Sequence, residues 1–250
     1  MDYGLYLSAA GIQAAVHKQD VISNNLANAE TVGFRRQLSV FMQRPLASSQ
    51  SPQDATPLDA IGGGLFVAPS LFDTTTAPFE KTGNPLDVAI QGDAYLAVQA
   101  NGRNMLTRNG ELAVAPGGDL VMATATDARV LNAEGQPINL AGAAGSIEIS
   151  KEGVISSNGQ ELGRLGTFAP ARPERLQAAG RTLLDPQFAG GLRIQPATLQ
   201  VGFIERSNVN PASELTEMIT NARALEANAN MLRFQDQTLS KVVNELGRIA

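Results

Sequence analysis

The sequence of 250 residues contains no cysteine and no tryptophan, and its single histidine is His17. Without cysteine there is no disulfide, no cysteine nucleophile and no thiolate metal site. A single imidazole excludes a pair of histidine ligands, and a histidine inside a predicted helix is most often a surface residue. We therefore expect neither a metal nor another cofactor, and we give His17 no catalytic role.

Long apolar runs and basic clusters are also missing. No stretch approaches the roughly 20 apolar residues that a membrane-spanning helix requires, so we expect no membrane span. The beginning of the chain lacks the charged start, apolar run and small-residue cleavage site of a secretory signal, which predicts that no signal peptide is cleaved. The net charge is −5, and lysine and arginine are scattered along the chain. Nucleic acid is therefore not an expected partner.

The strongest pattern in the chain is a heptad repeat in its last forty or so residues. Apolar residues recur in alternating steps of three and four, with one polar position at Asp236. Asn210 can cap the free amides, and Pro211 suits the first helical position. The predicted seam consists of Leu215, Met218, Ala222, Leu225, Ala229, Leu232, Asp236, Leu239, Val243, Leu246 and Ala250. Such a narrow stripe is typical of a coiled coil and requires a partner helix, although a long helix lying across its own domain is the alternative.

A second helical pattern begins the chain and covers residues 3–28. Its apolar residues share one face: Leu5, Ala9, Ile12, Val16, Ile22 and Leu26. This helix is shorter than the C-terminal one, so the longer seam has apolar length left for a further partner. Asn28 and then Thr31, Val32, Gly33 and Phe34 follow, and they predict a change of direction because amide side chains compete for backbone hydrogen bonds and glycine permits a turn.

Between Leu65 and Phe203 the period becomes that of strands. Alternating or paired apolar residues occur at Leu86, Val88 and Ile90, at Leu96 and Val98, at Leu112 and Val114, at Val130 and Leu131, at Ile147 and Ile149, and at Leu183 and Leu184. Turn sequences separate them: Asn101-Gly102, Asn109-Gly110, Pro116-Gly117-Gly118, Glu134-Gly135 and Asn158-Gly159. We therefore predict an α+β fold, in which long terminal coiled-coil-type helices pack together and an antiparallel β-rich domain, a sandwich or partly open barrel, is inserted between them.

The expected domain boundaries follow from these changes of period. Residues 1–36 and 207–250 hold the two helices, 76–206 hold the β-rich domain, and 37–75 are an extended linker or loop. Residues 37–60 are rich in Ser, Pro, Gln and Ala and predict a loop. Gly62, Gly63 and Gly64 follow without the Lys-Ser/Thr of a phosphate loop, so a flexible hinge is the better interpretation.

Four motifs carry a resemblance to a known family. The stretch from Ile22 to Arg36 includes Asn-Asn-Leu-Ala-Asn followed by Thr-Val-Gly-Phe-Arg, and this resembles the N-terminal signature of bacterial flagellar rod and hook proteins. The stretches 82–93, 107–110 and 205–210, the last running into Met218 and Ile219, support it. The signature residues are Asn24, Asn25, Leu26, Ala27, Asn28, Thr31, Gly33, Phe34, Leu86, Asp87, Gly92, Ser207, Asn208, Val209 and Asn210.

The resemblance implies a structural, self-assembling subunit of the flagellar basal-body rod. Terminal helices of many subunits would build a torque-transmitting tube around the export channel, in the periplasmic part of the flagellum. The implied partners are further copies of the chain, other rod proteins and the flagellar type III export apparatus, with no small-molecule substrate. A proximal rod protein is favoured, because Ala94-Tyr95-Leu96 stands where the distal rod protein typically has Gly and paired Phe; a distal rod or hook-type axial protein is the close alternative.

Two other classes of function were weighed. Asp87 and Asp93 could form the acid and base of a cell-wall hydrolase. Asp93, however, follows Gln91 and Gly92 in a sequence better suited to a tight turn, and no other catalytic constellation is recognisable. A surface fibre or adhesin with coiled-coil ends would carry a cleavable signal. The sequence therefore predicts that the chain is not an enzyme.

Overall fold

The computed structural model describes residues 2–43, 65–143 and 145–246. The predicted hinge at Gly62–Gly64, most of the predicted loop and Ala250 lie outside this part. The same holds for the side chains of Leu5, Val243 and Leu246. The chain divides into two compact units, Met1–Leu26 with Leu38–Ser70 and Pro211–Ala250, and Ala27–Gln37 with Leu71–Asn210. We call them the helical unit and the β unit.

Two helices belong to the helical unit. Helix α1 spans Asp2–Ala27 and helix α2 spans Pro211–Leu246, with lengths of 26 and 36 residues. Both agree with the prediction. Pro211 begins α2 because its preset φ suits the first helical position, where no intrahelical amide bond is lost. The ring of His17 in α1 is half-buried and meets the ring of Phe41 edge-on, with centroids 6.3 Å apart, rather than facing solvent.

Eighteen strands occur in the described residues. They are β1 (Gln37–Gln43), β2 (Leu65–Phe72), β3 (Phe79–Lys81), β4 (Val88–Ile90), β5 (Tyr95–Ala100), β6 (Arg103–Thr107), β7 (Leu112–Val114), β8 (Leu120–Met122), β9 (Ala125–Val130), β10 (Ile147–Ile149), β11 (Val154–Ser157), β12 (Gln160–Arg164), β13 (Thr167–Pro170), β14 (Gln177–Ala178), β15 (Leu183–Asp185), β16 (Leu192–Ile194), β17 (Leu199–Val201) and β18 (Phe203–Glu205). The predicted central run of short strands is confirmed.

The largest sheet in the described residues has nine strands in the order β14-β15-β6-β5-β9-β8-β7, with β13 joining β5 to β16. Its pairs are antiparallel, and β5 and β6 form a hairpin in which Leu96 faces Thr107. The hairpin closes at Asn101 and Gly102, whose φ angles are 52° and 73°. Such a turn favours Asn-Gly because both residues tolerate positive φ.

Further antiparallel pairs bring distant parts of the chain together. Strand β4 pairs with β17, and β3 pairs with β18, so the last strands before α2 return to the first strands of the β unit. Strands β10, β11 and β12 form a separate meander. Ile90, Leu96 and Ile155, from three different sheets, are fully buried in one apolar cluster. A smaller cluster includes Tyr95 and Leu106.

Two local predictions differ from the structure. The predicted loop at 37–75 contains β1 and β2, which pair with each other. The predicted turn at Asn109-Gly110 is instead buried: the Gly110 carbonyl accepts a hydrogen bond of 3.0 Å from the Val88 amide. A Cβ on Gly110 would lie 1.7 Å from the Val88 carbonyl oxygen. Glycine is required there because two backbones approach closely, a reason that a local turn pattern does not distinguish.

Gly33 shapes the turn that follows α1. The Asn28 carbonyl accepts the Thr31 amide at 3.1 Å, and Gly33, at φ 69°, donates its amide to the Glu205 carbonyl at 2.7 Å. A Cβ on Gly33 would lie 2.3 Å from the Asn109 backbone nitrogen. Both the positive φ and the backbone contact therefore require glycine.

Gly33→Ala should destabilise the β unit by more than the roughly 1–2 kcal/mol that a left-handed conformation costs a residue with a Cβ. Chemical denaturation measures the change in the free energy of unfolding. Gly83→Ala is the matched control, because Gly83 also has positive φ, 77°, but its Cβ would meet nothing within 4 Å. Equal losses in the two variants would show that the contact with Asn109 is unimportant.

Glu111 lies beside a second carboxylate. Asp87 and Glu111 form an isolated antiparallel bridge between two segments of the β unit. Burial raises the pKa of Glu111, the nearby Asp87 raises it further, and a hydrogen bond with Asn109 partly opposes the rise. The unfolded chain therefore loses the Glu111 proton at a lower pH than the folded chain does.

Ionisation of Glu111 therefore lowers the free energy of unfolding, and the loss begins as the pH rises past the ordinary pKa of 4.5. We expect Glu111→Gln to unfold at a higher temperature than the parent at pH 7, with the difference vanishing below pH about 4, where both states carry the proton. Thermal unfolding at a series of pH values measures this. Glu174→Gln, at an exposed residue, is the control. A stability gain that is independent of pH would contradict the assignment.

Candidate assembly site

Helices α1 and α2 lie against each other in antiparallel directions. Near the end of α1, Asn25 donates a hydrogen bond to the Glu214 carboxylate, with a distance of 3.3 Å between the two atoms. One to two turns along α2 from there, the Asn221 amide donates to the Ala15 carbonyl at 2.8 Å and to the Gln19 side-chain oxygen at 2.9 Å. The end of the first helix therefore meets the beginning of the second.

The apolar residues predicted for the two helices differ in burial. Ile22 is buried, at 2% exposed. Half-buried are Ile12, Leu26, Met218, Leu225, Ala229, Leu232 and Leu239, whereas Ala9 and Ala222 are exposed. Val16 and Leu215 are 46% and 48% exposed. Within the described part of α2, Met218 and the three leucines repeat every seventh residue and face α1, whereas Leu215 faces away from it.

Polar residues occupy four further buried or half-buried positions of α2, and the sequence analysis missed them. Glu214 is fully buried and Asn221 is 6% exposed, while Asn228 and Gln235 are half-buried. The predicted frame used the same leucines but began at Leu215, one residue later. The leucines fit both frames, so only the repetition of a carboxamide at every seventh residue could have indicated the observed one.

Large apolar side chains remain exposed on the helical unit. Leu215 and Ile219 lie one turn apart on α2 and are 48% and 57% exposed, and Met231 and Phe234 lie three residues apart and are 54% and 65% exposed. Leu7 on α1 is 46% exposed. Exposed apolar side chains that recur along one helix are typical of surfaces that meet another protein.

The β unit contains a buried cluster of charges. The Glu205 carboxylate forms ion pairs of 2.9 Å with Arg35 and of 2.9 Å with Arg108, and the three side chains are at most 3% exposed. Glu205 also accepts the Ala77 backbone amide at 3.0 Å. The Arg108 guanidinium lies 5.4 Å from the centre of the Tyr95 ring, within range of a cation–π interaction.

Backbone carbonyls complete the shell around the two arginines. Arg35 donates to the Thr75 carbonyl, and Arg108 donates to the Ala94 carbonyl. Burial lowers the pKa of Arg35, and the charge of Glu205 opposes that effect. Burial also raises the pKa of Tyr95, which keeps its hydroxyl neutral beside the two cations. This arrangement stabilises a buried carboxylate through two ion pairs and a backbone amide.

The signature residue Asn208 bonds to segments near the beginning of the β unit. The Asn208 side-chain oxygen accepts the Arg36 amide at 2.7 Å, and its nitrogen donates to the Asp73 and Thr75 carbonyls, each at 3.2 Å. Asn208 therefore joins three segments of the β unit. Beside it, the Ser207 hydroxyl accepts the Val209 amide at 3.3 Å.

The remaining signature residues have local roles. Phe34 and Val209 are buried apolar side chains, and Asn25 and Asn28 are buried polar ones. Asn28 accepts a hydrogen bond from the Thr31 hydroxyl at 3.1 Å. Leu86 packs against the main apolar cluster, and Gly92 has φ 86°. On the surface lie Asn24, Ala27 and Asn210.

Arg108 and Glu205 received no role from the sequence. The motifs Thr107-Arg108-Asn109-Gly110 and Glu205-Arg206 contributed to the resemblance, yet their chemistry was not interpreted. The signal was available in principle: an arginine at the end of an apolar strand and a glutamate in an apolar context need each other to be buried. Which arginine meets which glutamate depends on strand pairing across about a hundred residues.

The carboxylates of the described residues are dispersed or hydrogen-bonded within the fold. Among the described residues, no three His, Asp or Glu side chains converge as a metal site would require. Asp87 is 7% exposed and accepts the Asn84 side-chain amide at 2.9 Å. No helix in the described ranges has the length and apolar character needed to cross a lipid bilayer.

Three family models match consecutive parts of the chain. Residues 5–35 match the flagella basal body rod protein model, and residues 89–157 match the D1 domain of flagellar hook proteins FlgE, FlgF and FlgG. Residues 200–246 match the C-terminal domain of the flagellar basal body rod proteins FlgE, FlgF and FlgG. The first match includes most of α1 with its following turn, and the last includes all of α2.

Full-length relatives are similar at moderate identity. The flagellar basal-body rod protein FlgF of Caulobacter vibrioides is 29% identical over 252 residues, covering 100% of both chains. The flagellar basal-body rod protein FlgG of Bacillus subtilis is 31% identical and covers 96% of this chain and 97% of its own. FlgF of Escherichia coli is 30% identical and covers 99% of this chain and 97% of its own. Since this similarity extends over nearly the whole of each chain, the protein belongs to the family of flagellar basal-body rod proteins.

Proposed function

We propose that this chain is a structural subunit of the flagellar basal-body rod and that it polymerises through its terminal helices. The observation that carries the proposal is the antiparallel pair of α1 and α2, whose outer surface exposes Leu215, Ile219, Met231 and Phe234. Repeated contacts of one such surface with a different surface of the next copy generate a helical tube when the ring does not close. Other rod proteins are proposed as neighbours at the ends of that tube.

Helix lengths support assembly between subunits. The contacts of Asn25 with Glu214 and of Ala15 with Asn221 fix the register of the pair, and α2, with 36 residues against 26, extends beyond the beginning of α1. An isolated helix end gains little stability without an apolar partner. We propose that this end and the exposed apolar side chains pack against neighbouring subunits in coiled-coil fashion, and that residues 1–36 and 207–250 form the core of the tube.

The β unit has its own apolar core, so its stability need not depend on assembly. Its buried cluster joins Ile90, Leu96 and Ile155 of three sheets, which supports a sandwich or partly open barrel. We propose that this unit forms the body of the subunit, while the polymer contacts are made by the helices. Separate cores allow helix contacts to be changed without unfolding the body.

A cell-wall hydrolase is the less favoured alternative. An acid–base pair needs two carboxylates accessible to substrate, yet Asp87 is buried and hydrogen-bonded to Asn84. The relatives are named as rod proteins, and we propose that this chain likewise performs no catalysis. Between the two rod positions we favour the proximal one, that of FlgF, on the sequence Ala94-Tyr95-Leu96; FlgG is the alternative.

Leu232→Asp should abolish motility while the β unit stays folded. The leucine is half-buried between the helices, and a charge placed there costs several kcal/mol because it loses hydration without gaining a partner. Swarming, electron microscopy of basal bodies and limited proteolysis of the purified chain measure assembly and folding. Leu225→Asp should behave in the same way.

Ser240→Asp is the matched control, because it adds the same charge to an exposed position of α2 that is neither in the repeat facing α1 nor beside Met231 and Phe234. Normal swarming is expected for this variant. Normal swarming of the Leu232→Asp strain would show that Leu232 does not lie in a seam that assembly requires. Failure of both variants would also count against it, since any charge on α2 would then be harmful wherever it lies.

Helix α1 should be present in the assembled protein. We propose that the flagellar type III apparatus exports the chain to the periplasmic rod without removing its first helix, because that helix is the partner of Glu214 and Asn221. Mass spectrometry of purified basal bodies should detect peptides from Asp2–Ala27 at the same abundance as peptides from the β unit. Their absence, with a new terminus after Ala27, would contradict the proposal.

A further inference from the structure

The face of α2 that packs on α1 combines two repeats of seven residues. Met218, Leu225, Leu232 and Leu239 form the apolar repeat, and all four are half-buried. The second repeat is polar and consists of Glu214, Asn221, Asn228 and Gln235. Together they alternate in steps of four and three, which is the pattern of an a/d seam. Three of the four polar positions are carboxamides, and only Glu214 is charged.

Because the two helices are antiparallel, each step of seven residues forward along α2 corresponds to a step of seven residues back along α1. A Cβ on Gly4 would lie 2.8 Å from the Gln235 side-chain nitrogen, and one on Gly11 would lie 3.1 Å from that of Asn228. Glycine therefore makes room for the long amide side chains. At the other end of the pair, Asn25 takes the equivalent position and meets Glu214 instead.

The same α2 face is also suited to pairing with a second α2. In a parallel, in-register pair of identical helices, each seam position meets its own copy, so the leucines at a positions would pack on each other and the carboxamides at d positions would face each other within hydrogen-bonding reach. Asn221 and Asn228 are compatible with that arrangement, as are the four apolar residues. Each subunit in a polymer carries an identical α2, so self-pairing competes with pairing to α1.

Glu214 distinguishes the two arrangements. Against α1 it is fully buried and accepts a hydrogen bond from Asn25, which is 1% exposed. In a parallel self-pair, two Glu214 carboxylates would occupy one desolvated position without a cation between them. A buried charge is tolerated when it is hydrogen-bonded and strongly disfavoured beside a like charge.

We infer that Glu214 is a specificity-determining residue, which directs α2 to an Asn25-bearing α1 and against another α2. Leucines provide affinity for either partner, and the buried carboxylate selects between them. This inference deepens the proposed assembly through the terminal helices. It concerns pairing in the dilute purified chain, so its test does not depend on whether a rod forms.

The absence of native cysteine allows a clean disulfide-trapping experiment. Gly11→Cys combined with Asn228→Cys reports the α1–α2 pair through a disulfide within one chain. Asn228→Cys alone reports α2–α2 pairing through a disulfide between two chains. Under mild oxidation, the first reporter should give a cross-linked monomer, and the second should give almost no dimer.

Glu214→Gln should raise the dimer fraction of the single-cysteine reporter severalfold, because the like-charge barrier to self-pairing is removed. Glu217→Gln is the matched control: Glu217 lies one turn away and pairs at the surface with Lys18 at 3.6 Å. It should change neither reporter. Equal dimer fractions for the two variants would overturn the inference.

Asn25→Asp should reduce the disulfide within the chain, because two carboxylates would then meet. Adding Glu214→Gln to Asn25→Asp should restore it, since the new amide can donate to the new carboxylate. A purely structural loss at Asn25 would not be rescued in this way. Failure of the double variant to recover the disulfide within one chain would contradict the inference, even if Asn25→Asp alone were poorly folded.

Discussion

The buried carboxylate of Glu205 is the interaction on which the β unit most depends. Its two ion pairs, with Arg35 and Arg108, join residues that are 170 and 97 positions away in the sequence. Replacing such a group with well-packed apolar side chains can leave stability unchanged, but removing one partner commonly costs about 3–5 kcal/mol. The cluster therefore contributes more to the choice of one arrangement than to net stability. Alternatives that separate these segments would leave a charge buried alone.

This constraint explains why the family signature lies in several pieces. Gly33 donates its amide to the Glu205 carbonyl, and Asn208 accepts the Arg36 amide. The segment that follows α1 and the segment that precedes α2 are thus bonded to each other within the β unit. Both helices continue from these segments. Two signature residues that are far apart in the sequence, Gly33 and Asn208, therefore take part in bonds between the same two segments.

The sequence predicted the elements better than their contacts. The heptad spacing and the Asn210-Pro211 start predicted α2, and apolar residues on one helical face predicted α1. Both predictions were possible because helical periodicity depends on local residues alone. Alternating or paired apolar residues located six of the eighteen strands in the described residues, namely β4, β5, β7, β9, β10 and β15, and Asn101-Gly102 located a hairpin. Asn109-Gly110 has the same dipeptide but is buried against Val88, since a distant strand, not a turn, requires that glycine. Pairing of β3 with β18 spans more than a hundred residues, and local patterns contain no information about such partners.

The frame of the α2 seam shows the same limit at the candidate site. Leu225 and Leu232 belong to either frame, and apolarity favours the one that begins at Leu215 over the one that begins at Glu214. The structure buries Glu214 and exposes Leu215 because α1 offers Asn25 and two glycines at the facing positions. A polar seam binds less tightly than one made of leucine alone, since each carboxamide gains only a modest net hydrogen-bond energy. The large apolar side chains of Leu215, Ile219, Met231 and Phe234 stay exposed outside this seam. One face of α2 therefore carries the polar repeat that meets α1, and another face carries the exposed apolar side chains.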